Sequence, residues 1–98
     1  MVKHIVVWRV KESGPGKLAN AHEIKRLLES MRGKIPGMLA LEVGLNYLDD
    51  AMASDCALYS EFTDRAALVG YQTHPVHEAV KGTVRDLTTE RRVVDYDC

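Results

Sequence analysis

The run Tyr71-Gln-Thr-His-Pro-Val-His77 places a phenol and two imidazoles within seven residues, around a proline that sets where a helix can begin. Proline disfavours the helical conformation in the residue before it, so His74 is expected at a helix boundary. Pro75 itself suits a first helical turn, where its missing N–H costs nothing. His77 then falls in that first turn, near the positive end of a helix dipole. That end disfavours imidazolium and biases His77 towards a neutral, proton-accepting ring. A general base working near neutral pH needs that state. Beside it, Tyr71 could hydrogen-bond an enolate oxygen as a neighbouring carbon loses its proton.

Such proton transfer requires neither cofactor nor metal. His74 and His77 stand three apart and His4 could supply a third ligand, but no HExxH or cysteine cluster accompanies them, so no metal site is expected. His74 is read as a cap or backbone partner at the Pro75 junction. The competing reading of Tyr71, His77 and His4 is a satisfied hydrogen-bond network where a helix meets a sheet.

Several elements must position these groups. Residues 2–10 are rich in β-branched and aromatic side chains and predict a strand. His4, Val6, Trp8 and Val10 share one face; Lys3, Ile5, Val7 and Arg9 share the other. Both faces are apolar at their centre, which predicts cover on both sides. Trp8 is expected in the core or lining a pocket, as is Phe62.

From Lys17 to about Arg32, Leu18, Ala21, Ile24, Leu27, Leu28 and Met31 recur at helical spacing, and Gly33 supplies a stop. His22, in the second turn, is expected on the surface. A strand follows from Met38 to Tyr47, its greasier face carrying Leu39, Leu41, Val43, Leu45 and Tyr47. Asp55 to Phe62 is a third strand with Cys56, Leu58, Ser60 and Phe62 on one side. Thr63 or Asp64 can cap a helix through Tyr71 that pauses at His74-Pro75 and resumes to about Val84. Thr88 to Tyr96 forms the last strand. The order βαββαβ is the split βαβ pattern, an α+β fold with a four-stranded antiparallel sheet and both helices on one face. The bare face invites a second copy, so a homodimer through the sheet faces is expected.

Composition narrows the function classes. Ninety-eight residues are read as one domain, 1–98, with 46% hydrophobic and 28% charged residues, as in an ordinary globular protein. A formal charge of -1 offers no electrostatic reason for nucleic acid or an anionic membrane as partner. Without a bilayer-length apolar run or a signal-peptide pattern, the protein is expected in the cytoplasm. Cys56 and Cys98 fit neither a CxxC pair nor a zinc spacing, and are read as a buried small hydrophobe and a free terminal thiol. Lys81, Arg85, Arg91 and Arg92, interleaved with Asp86, Glu90 and Asp95, are read as a solvated surface.

Nearly the whole chain resembles one known family. The opening Val2-Lys3-His4-Ile5-Val6, then Ile35-Pro36-Gly37, Val43-Gly44-Leu45-Asn46, Asp55 to Phe62, the run Leu68 to His77 and Val93-Val94-Asp95-Tyr96 together resemble the stress-responsive α/β-barrel (Dabb) family. The resemblance implies a ferredoxin-like subunit that dimerises through its sheets into an α/β barrel. Some plant members are linked to stress tolerance as very stable oligomers, and one is a polyketide cyclase that runs an aldol condensation without a cofactor. That enzyme's acid–base residues match Tyr71 and His77, and His4 matches as a further pocket imidazole. A second tyrosine, on the cyclase's first helix, is replaced here by Leu28, which changes what the pocket can hold and orient. The implied site is therefore catalytic His77 and Tyr71, with His4, Trp8 and Leu28 against a small carbonyl-bearing or phenolic ligand. A non-catalytic oligomeric role and a cofactor-independent monooxygenase are the alternatives on the same architecture.

Overall fold

A computed structural model describes all 98 residues. The chain runs β1 (Val2–Val10), α1 (Lys17–Glu29), β2 (Met38–Leu45), β3 (Cys56–Phe62), α2 (Arg65–Gln72), α3 (Pro75–Asp86) and β4 (Thr88–Asp97). The strands form one antiparallel sheet in the order β2-β3-β1-β4, the expected ferredoxin-like arrangement. No helix is long and apolar enough to cross a membrane.

The helices begin and end where local chemistry dictates. Asp64 caps α2 by accepting from the Ala67 backbone N–H at 2.8 Å. The expected pause is a complete break: His74 caps α3 through its own Nδ1, which accepts from the Val76 N–H at 3.1 Å, with Pro75 in the first turn. Helix α1 is shorter than its apolar spacing predicts and ends at Glu29, before a turn closed by Gly33 in the left-handed region. Leu18, predicted in the buried stripe, is 68% exposed. Asn20 takes the inward position instead, and its amide donates to the carbonyls of Lys11 and Ser13, fastening the β1–α1 loop. At Gly37 (φ 77°) a Cβ would lie 2.6 Å from that of Ala67, so glycine lets the start of β2 approach α2 closely.

Alternation on β1 and β3 sorts the two sides of the sheet. Val2, His4, Val6, Trp8 and Val10 of β1 and Cys56, Leu58, Ser60 and Phe62 of β3 are buried beneath the helices. Against them pack Ala21, Ile24, Leu28 and Met31 from α1 and its exit, Leu68 and Tyr71 from α2, and Val80 and Val84 from α3. Each large apolar side chain taken out of water there contributes about 1.5–3 kcal/mol. Cys56 lies in this core, where burial pushes its thiol up to about 11, while Cys98 is exposed and free. On β2 the greasy face is shorter than predicted. An irregularity between Met38 and Ala40 leaves Leu39 exposed, and Tyr47, beyond the strand end, is 97% exposed.

Within one subunit the opposite face has no cover, as expected of a sheet face left for a second copy. Lys3, Ile5, Val7 and Arg9 are only half-buried there. The helices also stop short of β4. Its residues from Arg91 onward are exposed on both faces, which leaves an open flank beside β1.

Candidate functional site

The open flank leads into a cavity of about 540 Å³, bounded by β1, Leu28 of α1, the end of α2, α3 and the first half of β4. That volume suits a small organic ligand. His4, Trp8, Leu28, Tyr71 and His77, the residues singled out in the sequence, all line it. Val6, Leu58 and Val84 add apolar wall. His74 is not among the lining groups, because capping α3 occupies its ring, and His22 is exposed elsewhere. Nowhere do three His, Cys, Asp or Glu side chains gather in a metal-binding group.

Tyr71 is the centre of an aromatic cluster. The His77 ring stacks on it with centroids 4.2 Å apart and planes 26° from parallel. His4 meets it edge-on at 5.9 Å, and Phe62 packs at 5.3 Å. Burial pushes the Tyr71 phenol up to about 12, while Arg91 pulls the other way. The hydroxyl therefore stays protonated at physiological pH, as a hydrogen-bond donor. No group in the chain bonds it, and since no fully buried polar side-chain atom lacks a partner, it opens to the cavity.

The His77 Nδ1 lies 3.4 Å from the Gln72 carbonyl oxygen, a long contact that favours the proton on that nitrogen and leaves Nε2 as the acceptor. Its pKa is lowered below the ordinary 6.5, first by burial. The Gln72 carbonyl opposes the shift, Lys81 and His4 favour it, and Glu78 opposes it more weakly. The direction is the one expected from the sequence, and burial is its leading cause.

His4 is 2% exposed, and its Nδ1 pairs with the Asp95 carboxylate on the neighbouring strand. That contact assigns the Nδ1 proton and leaves Nε2 as the ring's other hydrogen-bonding atom. Asp95 is exposed, as the sequence predicts, and from that surface position it also reaches His4. It sits directly opposite His4 in the β1–β4 register and so shares its face. No local signal marks it, because only the pairing register brings it to His4. Replacing Asp95 with alanine strands a buried imidazole N–H and is expected to cost about 1–3 kcal/mol. Urea denaturation measures the loss, and an unchanged midpoint would show that the pair does not hold His4.

The basic run is exposed, as expected, and part of it also borders the cavity. Lys81, Arg85 and Arg91 are solvated, yet all three line the cavity mouth together with Glu90. Arg92 is directed to the opposite face of β4, in register with Val7.

Comparison with known proteins agrees with this architecture. The sequence matches the family described as stress responsive A/B barrel domain over residues 2–98. Among curated proteins none matches. A dimeric protein of unknown function with a ferredoxin-like fold from Bacteroides fragilis is 32% identical, covering 99% of this chain and 95% of that one, with a TM-score of 0.84. A dimeric ferredoxin-like protein from Thermobifida fusca superposes with a TM-score of 0.85 at 19% identity, covering 99% and 90% of the two chains. The hydroxynitrile lyase from Passiflora edulis superposes with a TM-score of 0.82 at 19% identity, covering 97% and 90%. At 19% identity the last two likenesses concern the fold alone.

Proposed function

The chain belongs to the stress-responsive A/B barrel domain family, and we propose that it is a small-molecule-binding, homodimeric member that abstracts a proton from a carbonyl-bearing or phenolic ligand without a cofactor. His77 acts as the general base. Its Nε2 takes the proton from carbon next to a carbonyl, and the electron pair moves onto the carbonyl oxygen. The Tyr71 hydroxyl donates a hydrogen bond to the resulting enolate, and the imidazolium then returns its proton to complete an aldol or cyclase-type step. His4, Trp8 and Leu28 hold the ligand, with Leu28 making the α1 wall apolar where the cyclase resembled by this sequence carries a tyrosine.

The observation that carries this reading is the open cavity reaching an imidazole biased to neutrality and stacked on an un-ionised phenol. A purely structural domain would fill such a volume with side chains. The homodimer reading is supported by the half-covered outer face around Ile5, Val7, Ala57 and Tyr59, and by the dimeric relatives.

Thermal-shift screening against phenolic and β-dicarbonyl acids tests the proposal. A ligand present at ten times its Kd adds about 1.4 kcal/mol of stability. For a domain of this size that raises Tm by roughly 6–11 °C. Hits are expected to stabilise the wild type and to lose most of the shift with His77→Ala. Equal stabilisation of both proteins removes His77 from the site.

A further inference from the structure

We propose that the cavity mouth is an anion subsite, in which the Arg91 guanidinium holds a carboxylate on the ligand while the rest of the molecule reaches Tyr71 and His77. The subsite rests on the cavity being a ligand pocket, as proposed above, and adds the chemical class of what enters it.

Pairing among the charges at the rim singles out Arg91. Glu90 is the single acid among the lining residues, but it stands in register with Arg9 and its carboxylate is held on the outer face of the sheet, Oε2 by Arg9 at 3.1 Å and Oε1 by Arg92 at 2.8 Å. Lys81 reaches Glu78 at 3.3 Å, and Arg85 approaches Asp86 only at 3.9 Å. The Arg91 side chain has no hydrogen bond or ion pair within the chain, although those of its neighbours Glu90 and Arg92 do. It sits directly opposite Trp8 in the β1–β4 register, on the helix-facing side of the sheet, and lines the cavity. Its charge also reaches inward, since it acts on the Tyr71 phenol.

An unpaired guanidinium presents a planar fork of donors that matches the two oxygens of a carboxylate. Lys81 and Arg85 add positive potential that would draw an anion towards the opening. Beyond the rim the wall turns apolar at Val6, Trp8, Leu28 and Val84, and it ends on two groups that are neutral at physiological pH. The gradient from cationic rim to neutral interior matches a ligand with one ionised end and an uncharged reacting end. A second charge on the ligand would find no partner inside.

The test uses 4-hydroxybenzoate and its methyl ester, which share a ring and differ in the ionised group. Binding is measured by calorimetry to the wild type, Arg91→Gln and Arg91→Lys. The acid is expected to bind the wild type on the order of tenfold more tightly than the ester, with an advantage that shrinks as salt rises. R91Q is expected to lose the preference while binding the ester as before, which also shows that it is folded. R91K, which retains the charge without the fork, should keep part of it. Equal binding of acid and ester by the wild type overturns the anion subsite and leaves the pocket standing. A preference that survives intact in R91Q overturns the role of Arg91. If neither compound binds at millimolar concentration, the pocket and its subsite fall together.

Discussion

Replacing His77 with glutamine is expected to slow catalysed proton exchange by roughly 10²–10⁴-fold, the usual contribution of a positioned general base. Glutamine is polar and similar in reach, but it cannot accept a proton at neutral pH. The reaction is followed by NMR as exchange of the α-protons of a carbonyl ligand with deuterated solvent, using a compound recovered from the thermal-shift screen. Tyr71→Phe is the companion variant. It keeps the ring on which His77 stacks and removes only the donor to the enolate, for an expected loss of about 10²–10³-fold. The pH profile carries the assignment further. A base is active when deprotonated, and burial holds the His77 pKa below its ordinary 6.5. The wild-type rate should therefore be flat through neutrality and fall only at a pH below that value. The same shift has a cost in acid. Below about 6.5 the unfolded chain binds a proton that the folded site resists, so the His77 contribution to stability declines as pH falls. Wild-type exchange rates in H77Q would remove His77 as the base and transfer attention to His4, the other imidazole on the cavity.

Phe62→Ala is expected to be the most damaging single truncation in the fold, at about 3–5 kcal/mol. Phe62 has no exposed surface and closes the end of β3 beneath the helices. Its ring packs 5.3 Å from Tyr71 and 6.4 Å from His4, centroid to centroid. Removing it leaves a void with one wall made of the groups that form the site. Since a domain of this size is stable by only about 5–15 kcal/mol, the loss is a large share of the total. Thermal unfolding should show a Tm lower by at least 12 °C. Ligand binding in the surviving folded fraction should weaken as well, because Tyr71 and His4 lose the ring that holds them. A Tm within a few degrees of the wild type would mean that the helices settle into the gap, and that the cluster does not depend on Phe62 for its shape.

The local patterns carried much of this molecule. Period-two alternation in Val2–Val10 and Cys56–Phe62 marked the buried faces of both central strands, and Pro75 placed a helix start that the structure reproduces. Tyr71 and His77 flank the break between α2 and α3 that the proline marks, and their rings stack across it. The errors fell where local pattern is silent or ambiguous. Leu18 satisfied the apolar spacing of α1, but a loop needing two hydrogen bonds drew Asn20 inward instead. Tyr47 continued the alternation of β2 after the strand had lost its partner.

What the sequence determined alone, then, was the order of elements, the inward faces of β1 and β3, and the pair of side chains joined by one proline. These depend on interactions among residues near one another in the chain, where periodicity and backbone restriction act directly. Tertiary structure decided the surroundings of that pair. In Thr88–Asp97 valines and charges fall on both faces, so no periodicity shows which side meets the helices. Only the non-local β1–β4 register puts Asp95 on His4 and Arg91 beside Trp8, and only the reach of the helices across the sheet leaves the flank open. Strand pairing is chosen by the packing of the whole domain, and the chemistry at the cavity mouth follows from it.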